Sequence, residues 1–337
     1  MKEKTKLDYF ETERGIKFIK DTFEKTFSKE LSLLRVTAPK FLVRGTGLQD
    51  DLAGTQVPVS FKIKKEEKTI EFVHSLAKWK RYTLGKYKFE IGKGLYTDMD
   101  AVRKDECLSE IHSVYVDQWD WELVISKEHR TIDFLKKIVK KIYSSIKKTE
   151  LKITEKFPCL RKRLPEKITF IRSEDLEKTF PGKTSKEREY IITKKYGAVF
   201  LIGIGHDLKS GKPHDLRASD YDDWSSETKI GYHGLNGDIL VWDDIRKETL
   251  ELSSMGIRVD KKSLEIQLKI CKQEQLKKLE FHKLIIDEKL PLTIGGGIGQ
   301  SRLCMFLLEK KHIGEVQSSV WPKEMIKEAK EKNIILL

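Results

Sequence analysis

The chain has 337 residues, with 66 Lys and Arg against 53 Asp and Glu for a formal charge of +13. Its hydrophobic share of 39% and aromatic share of 9% suffice for a buried core, which excludes general disorder. No apolar run approaches the ~18–20 residues of a membrane span, so a soluble, non-membrane protein is expected.

The four cysteines (Cys107, Cys159, Cys271, Cys304) are scattered, without C-x-x-C or metal-finger spacing. Single thiols fit a reducing cytosol, and Met1–Lys6 has no hydrophobic segment behind it. A cytoplasmic protein without a secretory leader is therefore expected. The basic charge permits nucleic acid as a partner. However, Lys136, Lys137, Lys140, Lys141, Lys147 and Lys148 fall on the outer side of one helical pattern and read as a solvated basic face, because a phosphate-binding footprint needs a concentrated patch.

Ile16, Ile19, Phe23, Phe27 and Leu31 predict an amphipathic helix from about residue 12 to 31. A strand-like stretch, 33–43, follows and contains Pro39, which cannot donate to a sheet ladder. Then come a glycine-bearing loop at 44–54, an alternating half-buried strand at 57–64, and a strand at 69–73. Ser75 is positioned to cap a short helix through Lys80 and Arg81. Residues 111–124 alternate over an unusual length, and 131–157 reads as a long helix. Thr184 and Glu187 form a capping box opening a helix that stops near Gly197.

A strand at 198–204 leads into a long polar loop, 205–236, whose Tyr221, Trp224, Tyr232 and His233 argue for order. Strands at 238–242 and 248–259, helical patterns at 261–286, a glycine run at 295–299 and a final helix from Gln300 complete the chain. No repeat or linker divides it, so residues 1–337 are read as one domain. The order predicts an α+β fold, a mostly antiparallel sheet flanked by helices.

Four constellations carry chemistry. Gly295-Gly-Gly-Ile-Gly-Gln-Ser-Arg302 places an arginine in the first turn of a helix, where amides and dipole favour an anion. A plain glycine turn before a helix explains it equally. Arg103 precedes Glu106 by three residues at a strand-to-turn junction, a pattern shared with surface ion pairs. Glu251 and Ser253 should share a strand face unless Gly256 bends it, and Arg258 follows that glycine; a cross-strand Glu251–Arg258 ion pair is the alternative. Alternation in 111–124 sets Gln118, Asp120 and Glu122 side by side, with Trp119 and Trp121 on the opposite face. His206 and His214 lack metal-ligand spacing and read as loop polar groups.

Arg103-Lys-Asp-Glu106, Gly295–Arg302 and the opening helix and strand ending at Pro39 resemble the three ordered motifs of class II aminoacyl-tRNA synthetases. More specifically, Val73-His-Ser-Leu-Ala-Lys-Trp-Lys-Arg81, His112–Glu122, Tyr221-Asp-Asp-Trp224, Gly234–Trp242, Glu251–Val259 and Thr293–Arg302 resemble ammonia-dependent asparagine synthetase, the aspartate–ammonia ligase family. That resemblance implies a cytoplasmic homodimer with a class II synthetase-like catalytic core that needs no nucleic acid. The implied reaction is amidation of L-aspartate by ammonia through β-aspartyl-AMP, with ATP as co-substrate split to AMP and pyrophosphate and Mg²⁺ as the cofactor that accompanies it.

By position, Arg103 would face the α-phosphate and Arg302 the far phosphate, with Ser113, Gly295 and Gly297 in the ATP site. Asp238 and Glu251 would hold Mg²⁺. Lys80, Gln118 and Arg258 would hold aspartate, with Ser75 and the catalytic candidate Asp120 nearby. Asp50, Asp222 and Ser254 would orient the amino group or ammonia, Asp50 being the first choice for ammonia.

The departures from the family pattern are local. Leu48 and Asp51 flank Gln49-Asp50, Ala53 replaces a serine, the loop 206–211 differs, and the tail 323–337 is more charged. Two rival readings stay open: a synthetase-like paralogue serving another acceptor, and a non-catalytic regulatory or RNA-binding dimer. Retention of Arg103, Glu251 and Arg302 argues against the second.

Overall fold

The structure, a computed structural model, describes residues 6–50, 52, 56–65 and 67–337. Of the loop expected at 44–54, Asp51, Ala53 and Gly54 therefore lie outside the described residues. In chain order the elements are α1 (Tyr9–Leu31), β1 (Leu33–Arg35), β2 (Phe41–Val43), β3 (Ser60–Lys62), β4 (Thr69–Phe72), α2 (Ala77–Lys86), β5 (Gly94–Val102) and β6 (Tyr115–Val124). They continue with α3 (Ile132–Lys156), β7 (Thr169–Arg172), α4 (Ser173–Thr179), α5 (Ser185–Tyr196), β8 (Ala198–Ile202), β9 (Glu227–Lys229), β10 (Tyr232–His233) and β11 (Asn236–Asp243). The rest are β12 (Glu248–Ile257), α6 (Lys261–Ile270), α7 (Glu280–Ile286), β13 (Thr293–Gly299), α8 (Gln300–Leu307) and α9 (Lys323–Glu331).

One sheet dominates the described residues, in the order β1-β5-β6-β13-β12-β11-β8-β7. Only the two edge pairs, β1–β5 and β7–β8, are parallel. The expected α+β architecture is the observed one. Phe23 and Phe27 of α1 pack on Trp119 and Trp121 of β6, joined by α3 and α8 in the main core. That consumes one face of the sheet. The other carries α2 and the polar side chains of β6, which places the site. Among the described residues no helix is long and apolar enough to cross a membrane.

Several elements differ from expectation for identifiable reasons. Helix α1 begins at Tyr9, three residues early, because Asp8 and Glu11 form a capping box. The alternation at 57–64 yields only the short β3, with Val57, Phe61 and Ile63 exposed. It belongs to a small separate sheet, β2-β4-β3, where the rings of Phe41, Phe61 and Phe72 pack on one another. Ser75 is not the N-cap of α2; Leu76 holds that place, and Ser75 Oγ accepts from the Ala77 N–H in a local turn.

Strands β5 and β7 and helix α4 were not expected. The strand read at 111–124 starts only at Tyr115, after a turn bridging Ser109 and His112. The loop 205–236 is ordered and includes the β9–β10 hairpin. The pattern at 261–286 divides into α6 and α7, and the charged tail contains α9, whose Met325 and Ile326 pack on the main core. The largest correction concerns 295–299: these glycines lie in a strand, β13, between β6 and β12.

Candidate active site

An open cleft of about 280 Å³ lies on the polar face of the sheet, over β6, β13 and β12. Asp50, Ser75, Lys80, Arg103 and Ser113 line it from the first half of the chain, with Gln118 and Asp120 from β6. Asp222, Glu251, Ser254, Arg258, Gly297 and Arg302 line it from the second half. Of the expected residues, Gly295 and Asp238 stand behind this lining.

The alternation of β6 builds the floor. Lys80, on α2, forms an ion pair with Asp120 and donates to the Gly296 carbonyl at 3.0 Å, with Glu122 at 3.8 Å. The Leu76 N–H donates to the other oxygen of Asp120 at 3.2 Å. Burial pushes the Lys80 pKa down and that of Asp120 up, each opposed by the other's charge.

Beside this pair, Arg258 Nε and Nη2 donate to Glu122 at 2.9 and 2.8 Å, and Nη1 pairs with Asp222. Thr293 Oγ1 adds a bond to Glu122 at 2.7 Å. Burial disfavours every charge here. Nevertheless, Arg258 and Lys80 hold Glu122 below the ordinary carboxylate range, while Glu122 and Asp222 hold Arg258 above its own. Arg258 therefore pairs with Glu122, not Glu251. Asp222 arrives there because segment 221–223 runs beside the end of β12, with Val259 N–H bonded to the Tyr221 carbonyl and Asp223 N–H to that of Ile257.

Asp50 is buried in the loop between β2 and β3 of the small sheet. Its Oδ1 accepts from the Leu52 N–H at 2.9 Å, and its carbonyl oxygen lies 3.2 Å from His74 Nδ1. Asp50 thus lines the cleft while its carboxylate also holds a neighbouring backbone N–H.

At the opposite end, Arg103 Nη1 lies 3.8 Å from Glu106 and Arg302 Nη1 donates to the Glu251 carbonyl at 3.1 Å, with its carboxylate at 3.6 Å. Arg302 Nη2 donates to His112 Nε2 at 3.0 Å, so His112 is neutral with its proton on Nδ1, beside Ser109 Oγ at 2.8 Å. Burial and the Arg302 charge both push the His112 pKa down. Arg302 sits in the first turn of α8 as expected, but the helix N-terminus is not a vacant anion site. Asp117 occupies it, accepting from Ser301 N–H at 3.1 Å and Ser301 Oγ at 2.7 Å. The Ser113 hydroxyl is likewise turned to backbone, bonding the carbonyl of Tyr115 at 2.9 Å.

A bulge resolves the β12 pattern. Ile239 pairs with Ser253 and Leu240 with Glu251, so Leu252 is the extra residue. Glu251 therefore shares its face with Ser254 and Asp238, not with Ser253, and the bend comes from the bulge rather than Gly256. Arg217 Nη2 lies 2.7 and 2.5 Å from the two oxygens of Asp238. Burial foremost, then Glu251, pushes the Asp238 pKa up to about 6 against the pull of Arg217. Among the described residues no group of three or more His, Cys, Asp or Glu is placed to hold a metal. Asp238 and Glu251 alone suit a hard cation that brings the rest of its shell with it.

Glu122, Arg217, His112 and Tyr221 were not anticipated as site residues. Alternation already put Glu122 beside Asp120. Arg217 had no local signal, since its partner is 21 residues away across a loop.

The aspartate-ammonia ligase family profile matches residues 10–333. An aspartate–ammonia ligase of Parabacteroides distasonis is 56% identical over 335 residues, covering 99% of this chain and 97% of that one. One from Clostridium perfringens is 56% identical over 328 residues, covering 97% and 95%. Among solved structures, the asparaginyl-tRNA synthetase of Pyrococcus horikoshii complexed with asparaginyl-adenylate superposes with a TM-score of 0.65 at 13% identity, over 92% of this chain and 70% of that one. At that identity the likeness is one of fold, and the fold is that of a class II synthetase catalytic core.

Proposed function

The chain belongs to the aspartate–ammonia ligase family and is an asparagine-forming ligase, and from that premise we propose that it activates L-aspartate with ATP as β-aspartyl-AMP. Ammonia then displaces AMP. The observation that carries this reading is the division of one cleft: two arginines, Arg103 and Arg302, line one end, and the paired charges around Lys80 and Arg258 line the other. The first end suits phosphates; the second suits a small zwitterion with an extra carboxylate.

A carboxylate is a poor acyl donor, so the β-carboxylate oxygen attacks the α-phosphorus and the bond to the β-phosphate breaks, releasing pyrophosphate. Arg103 neutralises charge at the α-phosphate and Arg302 at the far phosphate. Ser113, Gly295 and Gly297 complete the nucleotide side. Asp238 and Glu251 would hold a Mg²⁺ carried in with ATP, which would supply further neutralisation of the phosphates. Lys80, Gln118 and Arg258 hold the carboxylates of aspartate, while Ser75, Asp120, Asp222 and Ser254 surround its amino group. Asp50 attracts ammonium and takes a proton as the C–N bond forms. Residues 1–337 act as a single catalytic domain in a cytoplasmic homodimer that needs no nucleic acid; strands from both halves of the chain in one sheet support the single domain.

The test is a product assay with aspartate, ATP, Mg²⁺ and ammonium. AMP and pyrophosphate should appear in step with asparagine, and glutamine should not replace ammonium. ADP and phosphate as products would overturn the adenylate, and asparagine made from glutamine in ammonium-free buffer would overturn the direct use of ammonia.

A further inference from the structure

Arg217 projects from the loop between β8 and β9, and its charge acts on Asp222 and Tyr221 of the cleft as well as on Asp238. Its hold on Asp238 is incomplete as guanidinium geometry goes. A single nitrogen, Nη2, serves both carboxylate oxygens at 2.7 and 2.5 Å. Nη1 is spent on the neighbouring Leu216 carbonyl at 3.0 Å, with Asp215 at 3.8 Å, and Nε is buried without a hydrogen-bond partner. An arginine that settles on a carboxylate normally offers two parallel donors. Here the fork is under-used.

The carboxylate it covers is the one assigned above to Mg²⁺. Those two uses exclude each other: both oxygens face one cationic nitrogen, and a divalent cation beside it would meet direct repulsion. Asp238 also cannot simply be left alone, because it is buried next to Glu251 and needs a positive partner in every state. We propose that Arg217 is the exchangeable counter-ion of Asp238, neutralising it without nucleotide and, when metal and nucleotide arrive together, yielding it to the metal and turning its Nε–Nη2 edge, made of the unpartnered Nε–H and the Nη2 so released, to the terminal phosphates. The inference rests on the ATP reading and adds an order to it. Divalent metal enters with the nucleotide, not before.

The experiment measures binding of Mn²⁺, a spectroscopically visible substitute for Mg²⁺, to the full chain without nucleotide, and the KM for ATP in asparagine synthesis. Arg217→Ala uncovers Asp238, so Mn²⁺ without nucleotide should bind about tenfold or more tighter than to the wild type. Arg217→Lys keeps a charge on Asp238 and loses the fork, so its Mn²⁺ affinity should stay near that of the wild type. Both variants should raise the KM for ATP by about tenfold or more, with a smaller change in kcat. Equal Mn²⁺ affinity in the wild type and the Ala variant overturns the counter-ion role; an unchanged KM for ATP in both variants overturns the phosphate contact. Failure of the ATP reading is a separate result, wild-type chain forming no AMP, and the nucleotide-free Mn²⁺ comparison stays decisive in that case.

Discussion

Gly295 of β13 pairs with Glu122 of β6, and a methyl group on Gly295 would collide with the Glu122 carboxylate and stand 2.7 Å from Nη2 of Arg258. The next site-facing glycine repeats the relation: a methyl on Gly297 would strike the Gln118 amide oxygen. Between them, Gly296 faces the main core and would press on Met255 at 2.5 Å. The glycines of β13 make room on one face for the polar side chains of β6, which can then stand upright beside a ligand.

Gly295→Ala should therefore damage aspartate binding specifically. The displaced Glu122–Arg258 pair should raise the KM for aspartate by about tenfold or more, with overpacking costing about 1–3 kcal/mol of stability. Gly296→Ala should cost similar stability through Met255 without singling out aspartate. Denaturant unfolding and aspartate titrations on the two variants check this; equal effects on KM would sink it.

The same glycines show where sequence reasoning stops. Glycine is depleted in strands, so β13 read as a turn; only the carboxylate and amide packed across it give the run its purpose. β5 was missed because Gly94–Thr97 is buried at every position, which erases alternation. The β6 site face was legible because strict alternation separated Gln118, Asp120 and Glu122 from Trp119 and Trp121. Arg302 was legible from the glycine–arginine spacing of 295–302 and Asp50 was reached through family resemblance, whereas Arg217 and Asp117 act through partners that no local spacing reveals. The same holds for the charged tail: Ala329 of α9 is buried, a fact its lysines and glutamates conceal.

Arg302 is fixed from two sides, by the Glu251 carbonyl and by neutral His112. Arg302→Ala should lower aspartate-dependent pyrophosphate exchange about 10²–10³-fold, the usual effect of removing a preorganised donor from developing charge. Arg302→Lys should not restore it, because a point charge cannot bond Glu251, His112 and phosphate in one plane. His112→Ala should fall between Lys and wild type. Exchange at the wild-type rate in the Ala variant would assign Arg302 a surface role.

Asp238 gives the nucleotide-free protein a specific pH signature. Its pKa rises from an ordinary 3.8 to about 6 on folding, so between these values the folded state binds more protons than the unfolded one. Stability from this group is greatest below pH 4 and declines as pH rises through 6, by up to about 3 kcal/mol. Asp238→Asn cannot titrate, so its stability relative to wild type should improve over that interval. Urea unfolding of both proteins at pH 4.5, 5.5 and 6.5 checks the sign, and parallel curves would refute it.

Asp50 can be tested cleanly because of how its carboxylate is held. Oδ1 accepts the Leu52 N–H, and the amide oxygen of asparagine can accept the same bond, so Asp50→Asn keeps that local contact while removing charge and basicity. Adenylation needs neither property from this residue. Ammonia attack needs both, since ammonium must be drawn into a buried site and must shed a proton before its nitrogen has a lone pair to offer. Asp50→Asn should therefore slow asparagine formation by about 10²-fold or more while leaving aspartate-dependent pyrophosphate exchange within about threefold of wild type. Raising ammonium or pH should recover part of the loss, as free ammonia replaces what the carboxylate supplied. If exchange and synthesis fall in equal proportion, Asp50 serves aspartate binding or the local fold, and the proton must pass instead to Asp120 or Asp222, each already tied to a cation in this cleft.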